Sequence, residues 1–414
     1  MKKLTQLMNF LTKLKKEKIK KDFHKYQAQV TPYPLEIEIK RAEGSYIYDT
    51  DDNKYLDFIA GVSACSVGHC HPQVVEAIKK QLDKYLHVMV YGEFILKPAV
   101  DLTKLLSKNL PKELSSTYLT NSGAEAIEGA IKLARRFTGK KEIIGANNAY
   151  HGSTLGALTL MGLKENRKPF EPLIPEVNFI NFNDINDISK ITNKTAGVIL
   201  ETIQGAAGFI EPKNNYLKLV SKRCKEVGAL LILDEIQPGI GRTGKLFGFE
   251  NYDCKPDIIV SGKGLGGGMP IGAFISSKKI MNTISDNPIL GHITTFGGNP
   301  VIAASALETL KIITSSSLMK EALKKEIVIR NILKHELITE IRGKGLMLAI
   351  ILKNSTIADK LVIGAKKKGL LLFWLLIEKK AVRVTPPLTI SEKEISLGCK
   401  VIIDLLDEIN KDVN

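Results

Sequence analysis

Asp234 and Lys263 stand far apart in the chain, yet they invite the same chemistry. Asp234 closes the apolar run ALLILD (229–234), and Lys263 follows the apolar run DIIVSG (257–262), 29 residues later. Runs this short and this apolar read as strands buried on both faces, the habit of parallel sheets. In such sheets ligands sit at the carboxyl ends of the strands, so both side chains can reach one crevice. An unprotonated lysine amine attacks carbonyl carbon, and a carboxylate can hold a proton on an aromatic nitrogen. A phosphate site is offered by Ser122-Gly123-Ala124, where the strand STYLTN (116–121) gives way to the helix SGAEAIEGAIKLARRF (122–137). Backbone N–H groups and the positive end of that helix would face the ligand.

An amine, a carboxylate and a phosphate cradle are the minimum that pyridoxal 5'-phosphate (PLP) needs. The lysine forms the Schiff base, and the aspartate keeps the pyridinium nitrogen protonated so that the ring acts as an electron sink. The glycines admit a rival. GIGRTG (239–244) and GKGLGG (262–267) both match the dinucleotide pattern G-x-G-x-x-G. The first begins five residues beyond the strand end, however, and the second carries Lys263 in the turn, where a pyrophosphate would want nothing bulky. Gly239 to Lys245 also mimics a phosphate-binding loop, but Leu246 stands where Mg²⁺ needs a hydroxyl. Each residue also has an ordinary explanation: Asp234 as a strand-end carboxylate, Lys263 as one lysine of 50, Tyr150 as a core aromatic.

The elements that must position these residues follow from the pattern. EIIGA (142–146), VNFIN (177–181) and AGVILE (196–201) read as further buried strands, with helical stretches such as Asn215–Val227 between them. This alternation predicts a doubly wound, mainly parallel α/β domain over about 75–310. A long helix, Pro300–Ile313, closes it. The tail reads as helix, short strands (Gly345–Leu352, Ala381–Val384) and a closing helix (Glu392–Leu406), a smaller α+β domain. Residues 30–60 read as hairpin strands with a DTDDN turn, joining that smaller domain. The expected division is a basic helical segment (1–29), the N-terminal part of the small domain (30–75), the large cofactor-binding domain (76–313) and the C-terminal small domain (314–414).

Composition removes other classes. With 44% hydrophobic and 25% charged residues the chain of 414 is neither disordered nor low-complexity. No apolar run reaches the ~18 residues of a membrane span, Gly369 to Glu378 being the best candidate. The net charge of +15 suggests nucleic acid, but only nine of the 59 basic residues are arginine and aromatics are 6%. That is a lysine-rich surface without a stacking platform for bases, so no nucleic-acid or membrane partner is expected. Five scattered cysteines without a C-x-x-C pair give no disulfide framework and fit a reducing cytoplasm. His69 and His71 suggest a metal pair, but His-x-His before Pro72 reads as a structural helix start, so no metal is expected. The first 28 residues lack an unbroken apolar core and a cleavage site. They read as an amphipathic helix packed on the body or on a partner subunit.

Beside these residues the whole chain resembles the class III (ω-amino acid) PLP-dependent aminotransferases, nearest the acetylornithine/ornithine subgroup. The resemblance is carried by GVSACSVGHCHPQVV (61–75), NSGAEAIEGAIKLARR (121–136), YHGSTLGALTL (150–160), ILETIQGAAGFIEP (199–212), LLILDEIQPGIGRTGKLFGFE (230–250), PDIIVSGKGLGGGMPIGAF (256–274), HITTFGGNP (292–300), IRGKGLML (341–348) and VRVTPPLTI (382–390). It implies fold type I of the PLP-dependent transferases, with the small domain formed by both chain ends. It implies Lys263 as the Schiff-base lysine and proton carrier, Asp234 at the pyridine nitrogen and Gln237 near the ring hydroxyl. Tyr150 would stack on the ring with His151 beside it, and Ser122, Gly123 and Ala124 would hold the phosphate. Thr295 would reach the phosphate of a neighbouring subunit, so a homodimer with shared sites is implied. Arg383 would take the α-carboxylate of 2-oxoglutarate or glutamate, and Glu201 would neutralise Arg383 when an ω-amine donor occupies the site. The relatives read His-Gly-Arg after the stacking aromatic, and that arginine grips the donor's distal carboxylate; here the sequence is His151-Gly152-Ser153. Either another cation serves, or the donor has no carboxylate there, as a diamine would. HVMVYGEF (87–94) is expected to line the same pocket. The expected activity is transfer of an amino group from an acetylornithine-like donor to 2-oxoglutarate. The rivals are a different amino donor, an aminomutase, racemase or decarboxylase on the same scaffold, or a catalytically silent PLP- or nucleotide-binding protein.

Overall fold

The computed structural model describes residues 16–411. Its strands in chain order are β1 (Ile39–Glu43), β2 (Tyr46–Asp49), β3 (Lys54–Asp57), β4 (Ser116–Thr120), β5 (Glu142–Ala146), β6 (Val177–Ile180), β7 (Thr195–Glu201) and β8 (Leu230–Asp234). They continue with β9 (Ile258–Gly262), β10 (Gly272–Ser276), β11 (Ile338–Lys344), β12 (Met347–Leu352), β13 (Leu370–Leu371), β14 (Phe373–Trp374) and β15 (Ala381–Val384).

The chain divides into two compact units, residues up to 41 with 48–53, and 42–47 with 54 onward. In the first, residues 16–26 are helical. Glu36 accepts from Lys20 and His24 of that helix, at 3.4 and 2.7 Å. The DTDDN turn forms because the Asp49 carboxylate accepts the backbone N–H groups of Asp51 and Asn53, both at 2.9 Å. Residues 1–15 of the expected N-terminal helix lie outside the described residues.

The second unit is built on a seven-stranded sheet of order β4-β10-β9-β8-β7-β5-β6. β9, β8, β7, β5 and β6 run parallel. β10 is antiparallel to both of its neighbours, so the sheet is mixed rather than uniformly parallel. The reason is the short connection 263–271, rich in glycine. A return in the parallel sense needs a crossover of roughly a dozen residues or more, and this segment is too short to make one. β7, β8, β9 and β10 are buried at every position, as their apolar runs require. β6 departs from that expectation: it is the edge strand, and Asn178 is exposed.

The helix Gly123–Thr138 buries Ala126, Ile127, Ala130, Ile131, Leu133 and Ala134 against Ile232, Val260 and Phe274 of the sheet. Its start is set by Ser122, whose Oγ accepts the Glu125 N–H at 3.2 Å, and its end by Gly139 in a left-handed conformation. A smaller antiparallel sheet, β11-β12-β15-β14, carries the helix Ser355–Lys367, on which the last helix, Glu392–Lys411, packs. One apolar cluster runs from Leu233 in β8 through Leu310 to Ile350 in β12 and Leu406 in the last helix. The residues beyond 313 therefore share a core with the large sheet. Among the described residues no single helix is long and apolar enough to cross a membrane.

Candidate active site

Three carboxyl ends of adjacent strands put three functional side chains side by side. Glu201 ends β7, Asp234 ends β8 directly opposite it, and Lys263 follows Gly262 at the end of β9. They share a cavity of about 610 Å³ with Gln237, Tyr150, His151, Gly123, Ala124 and Arg383. Of the catalytic and cofactor-binding residues expected to meet within one chain, all but Ser122 line this cavity.

The Asp234 carboxylate is fixed from two sides. Its Oδ2 lies 2.7 Å from His151 Nδ1, and its Oδ1 accepts the Ile236 N–H at 2.9 Å. Both side chains are buried. Burial disfavours the charged imidazole of His151, but the bond to Asp234 and the charges of Asp234 and Glu201 outweigh it and raise its pKa. Asp234 thus lines the cavity with each of its oxygens already held by one partner.

Lys263 is held at φ 41°, a left-handed conformation that costs a β-carbon residue roughly 1–3 kcal/mol and marks a position fixed by its surroundings. Burial lowers its pKa, and the charge of Arg383 lowers it further against the opposing pull of Asp234 and Glu201. The balance shifts the amine toward its free, nucleophilic form.

Arg383 enters from β15 of the smaller sheet and is 8% exposed. Its Nε donates to the Trp374 carbonyl at 3.2 Å, while Nη1 is buried without a partner. Burial alone pulls its pKa down to about 10. A guanidinium left open inside a cavity is a site for a planar anion. Glu201 does not pair with it. The two Glu201 oxygens accept the N–H groups of Tyr150 and Gly205 at 3.0 and 2.7 Å. Burial raises the Glu201 carboxyl to about 7, with the His151 charge and those two amides restraining it. In this arrangement Arg383 is free for a ligand.

At the other end of the cavity stands the start of the helix Gly123–Thr138, whose first amides have no partner within the helix. Gly152, at φ 133°, packs so closely that a Cβ there would lie 2.6 Å from Ala124 Cβ. Ser122 is not on the cavity wall; its Oγ accepts the Glu125 N–H of the helix cap, and its hydroxyl proton remains to give. Gln237 lines the cavity and donates to Ser63 Oγ at 3.3 Å. Tyr150 lines it too, its hydroxyl 3.4 Å from Ser153 Oγ.

One further expectation fails here, whereas that for Thr295 concerns the neighbouring subunit's site and not this chain's own cavity. Thr295 is exposed and off this cavity, while its neighbour Thr294 accepts from Asn121 Nδ2 at 2.8 Å. The segment 87–94 does not line the pocket: Val90, Tyr91, Gly92 and Phe94 line a separate cavity of about 270 Å³ beside β4. The chain ahead of the helix Lys97–Lys108 runs along the outer strand of the sheet rather than over the strand ends. Sequence reasoning also missed part of the wall. Val62 belongs to a left-handed turn, Ala60–Ser63, and Phe373, Trp374, Leu376 and Lys379 come from a hairpin read only as an apolar run. The single tryptophan was the available signal. His69 is structural, paired with Asp57 at 2.8 Å, and no group of metal-ligand side chains is found among the described residues.

A nucleophilic lysine, a buttressed aspartate, a helix-start cradle and an open arginine meet in one cavity. The profile of the family described as aminotransferase class-III matches residues 26–406. The chain belongs to the class III aminotransferases. It is 39% identical over 390 residues to the acetylornithine aminotransferase of Caldanaerobacter subterraneus subsp. tengcongensis, covering 91% of this chain and 96% of that protein. It is 36% identical over 392 residues to the putrescine aminotransferase of Pectobacterium atrosepticum, covering 90% and 83%. The structure matches the ornithine aminotransferase of Toxoplasma gondii with a TM-score of 0.88, at 29% identity, over 96% of each chain. Class III aminotransferases are transferases that use PLP, and a structure of the Toxoplasma enzyme shows partial occupancy of PLP at its active site.

Proposed function

We propose that this class III aminotransferase binds PLP and moves an amino group from an acetylornithine- or ornithine-like ω-amino donor to 2-oxoglutarate, giving an aldehyde and glutamate. The observation that carries this reading is the shared cavity of Lys263 and Asp234, with the unpartnered Nη1 of Arg383 open to it. The residues present suit the cofactor: a buttressed carboxylate for the ring nitrogen, an aromatic side chain for the ring face, a helix start for the phosphate and a buried amine. When bound, PLP supplies a reactive carbonyl and an electron-withdrawing ring. Asp234, steadied by His151, holds the proton on the ring nitrogen. Lys263 Nζ, its pKa lowered by its surroundings, carries a proton between neighbouring carbons. Arg383 binds the α-carboxylate of 2-oxoglutarate as a planar fork. With an ω-amine donor that carboxylate is absent, and Glu201 leaves the amides of Tyr150 and Gly205 to neutralise Arg383. The two substrates then use the site in turn, and this distinguishes a transaminase from an aminomutase, racemase or decarboxylase.

A second copy of the chain completes the site by bringing Thr295 to the phosphate. Exposed Leu86, Phe94, Ile95, Ile289 and Phe296 support an apolar interface on that side of the molecule. All five cysteines are free thiols, which suits work in the cytoplasm. The test is a panel of amino donors offered with 2-oxoglutarate to the PLP-loaded protein, reading glutamate. Absence of glutamate with every donor would overturn the reading.

A further inference from the structure

Three lysine or arginine side chains line the cavity: Lys263, Arg383 and Lys379. The first two have tasks in the reaction proposed above. Lys379 has none, and no carboxylate among the described residues pairs with it. The neighbouring Glu378 is turned to the backbone, its Oε1 accepting the Lys380 N–H at 3.2 Å. The geometry points to Lys379 as the residue that reads a carboxylate at the outer end of the substrate, the task left open by Ser153.

The position is built into the fold. Lys379 lies on the loop 375–380 between β14 and β15. The N–H groups of Ile377 and Glu378, just before it, both donate to the Ala206 carbonyl, at 3.1 and 3.2 Å. Ala206 lines the cavity and follows Gly205, whose amide holds Glu201. The loop bearing Lys379 is thus tied to the turn that governs the Glu201 carboxylate. Arg383 sits in β15 directly opposite Phe373 of β14, so one hairpin carries both cations. Arg383 is buried, and Lys379 is exposed at the rim. Around them Phe373, Trp374 and Leu376 present apolar surface to the cavity. Ser153 carries no charge and is within bonding distance of Tyr150.

A cation within, apolar wall beside it and a second cation at the rim fit one class of molecule. It bears its reacting amine or carbonyl at the inner end, then a methylene or acyl spacer, then a carboxylate. ω-Amino carboxylates, N-acylated diamino acids and the dicarboxylate acceptor share this pattern. A diamine brings a second cation toward Lys379 and is disfavoured, which is selection by repulsion as well as by attraction. Because Lys379 is exposed, water screens the pair and the expected effect is modest, about tenfold at most.

This inference rests on the aminotransferase reading, and the experiment separates the two. PLP-loaded wild type, Lys379→Met, Lys379→Glu and Lys379→Arg are compared in the donor half-reaction with 4-aminobutyrate and butane-1,4-diamine, which differ in the outer group. Binding of glutarate and butyrate to the same proteins is measured by calorimetry. The ratio of kcat/KM for 4-aminobutyrate to that for the diamine should fall about tenfold in Lys379→Met, through KM. It should fall further in Lys379→Glu and be kept in Lys379→Arg. The preference for glutarate over butyrate should follow the same order. Equal changes for both donors and both acids, or no change in either ratio, would overturn the role of Lys379. A protein that transaminates no donor but loses its glutarate preference in Lys379→Met would overturn the reaction and keep this site.

Discussion

Glu201 and Asp234 face each other in register at the ends of adjacent parallel strands, yet their carboxylates are held by different means. Asp234 is bound to the imidazole of His151, whose pKa that bond helps to raise. Glu201 is bound by two backbone amides and is raised to about 7 by burial. Two buried acids side by side repel, and here one is bonded to an imidazole whose own pKa is raised while burial raises the carboxyl of the other. The consequence is a division of labour: Asp234 is fixed, and Glu201 can be released.

The first prediction concerns this release. An ordinary glutamate titrates near 4.5, and Glu201 is raised to about 7 in the fold. The native state therefore holds a proton that the unfolded chain has lost. Stability contributed at Glu201 is complete below about 4.5 and is lost as pH rises through about 7. Each unit is worth about 1.4 kcal/mol, so the loss is on the order of 3 kcal/mol. Urea unfolding of wild type and Glu201→Gln from pH 5 to 8 should show wild type losing ground to the variant across that window. A constant difference would show that Glu201 is ionised in the fold throughout.

Lys263→Ala should retain PLP through the helix-start cradle but lose the covalent link and nearly all turnover. The measurements are cofactor content after dialysis, the visible absorption of the protein and glutamate formation. Turnover at the wild-type rate would remove Lys263 from the chemistry.

Asp234→Asn cannot hold the ring proton by charge, and it also unbalances His151. kcat should fall by several orders of magnitude, with a much smaller effect on thermal unfolding. His151→Gln keeps the carboxylate but loses a charged partner, so a lesser fall is expected. A near-normal kcat for Asp234→Asn would leave the aspartate a purely structural strand end.

Much of this site was legible in the sequence because its key residues sit at the ends of strands that bury both faces. An unbroken apolar run marks such a strand, and its end marks a carboxyl end, which is how Asp234 and Lys263 come to notice, whereas Glu201 is named through the family resemblance. The parts that were not legible depend on geometry that no local pattern carries. β10 is as apolar as its neighbours, but its antiparallel sense follows only from the length of the loop before it. β14 is two residues long, so Phe373 and Lys379 gave no period to recognise. The left-handed turn at Ala60–Ser63 includes residues that ordinarily avoid that conformation, and tertiary contacts impose it. The segment 87–94 was misplaced because its residues alone do not say which side of a sheet the chain then takes.

The last prediction tests the two-substrate logic at Arg383. 2-Oxoglutarate brings a carboxylate beside its keto group, and the open Nη1 of Arg383 can meet it as one arm of a fork. An ω-amine donor presents a methylene there instead, and an unpaired buried guanidinium costs several kcal/mol. Glu201 offsets that cost only by leaving the amides of Tyr150 and Gly205. Arg383→Lys keeps the charge but loses the fork, so the half-reaction with 2-oxoglutarate should fall by about a hundredfold or more. The donor half-reaction, in which Arg383 only has to be neutralised, should fall less. Ser153→Arg, at an exposed position beside Tyr150, should raise kcat/KM for donors with a distal carboxylate by adding a second cation there. Stopped-flow measurement of each half-reaction separates the effects. Equal losses in both for Arg383→Lys would mean that Glu201 does not switch and that Arg383 serves the structure of the hairpin alone.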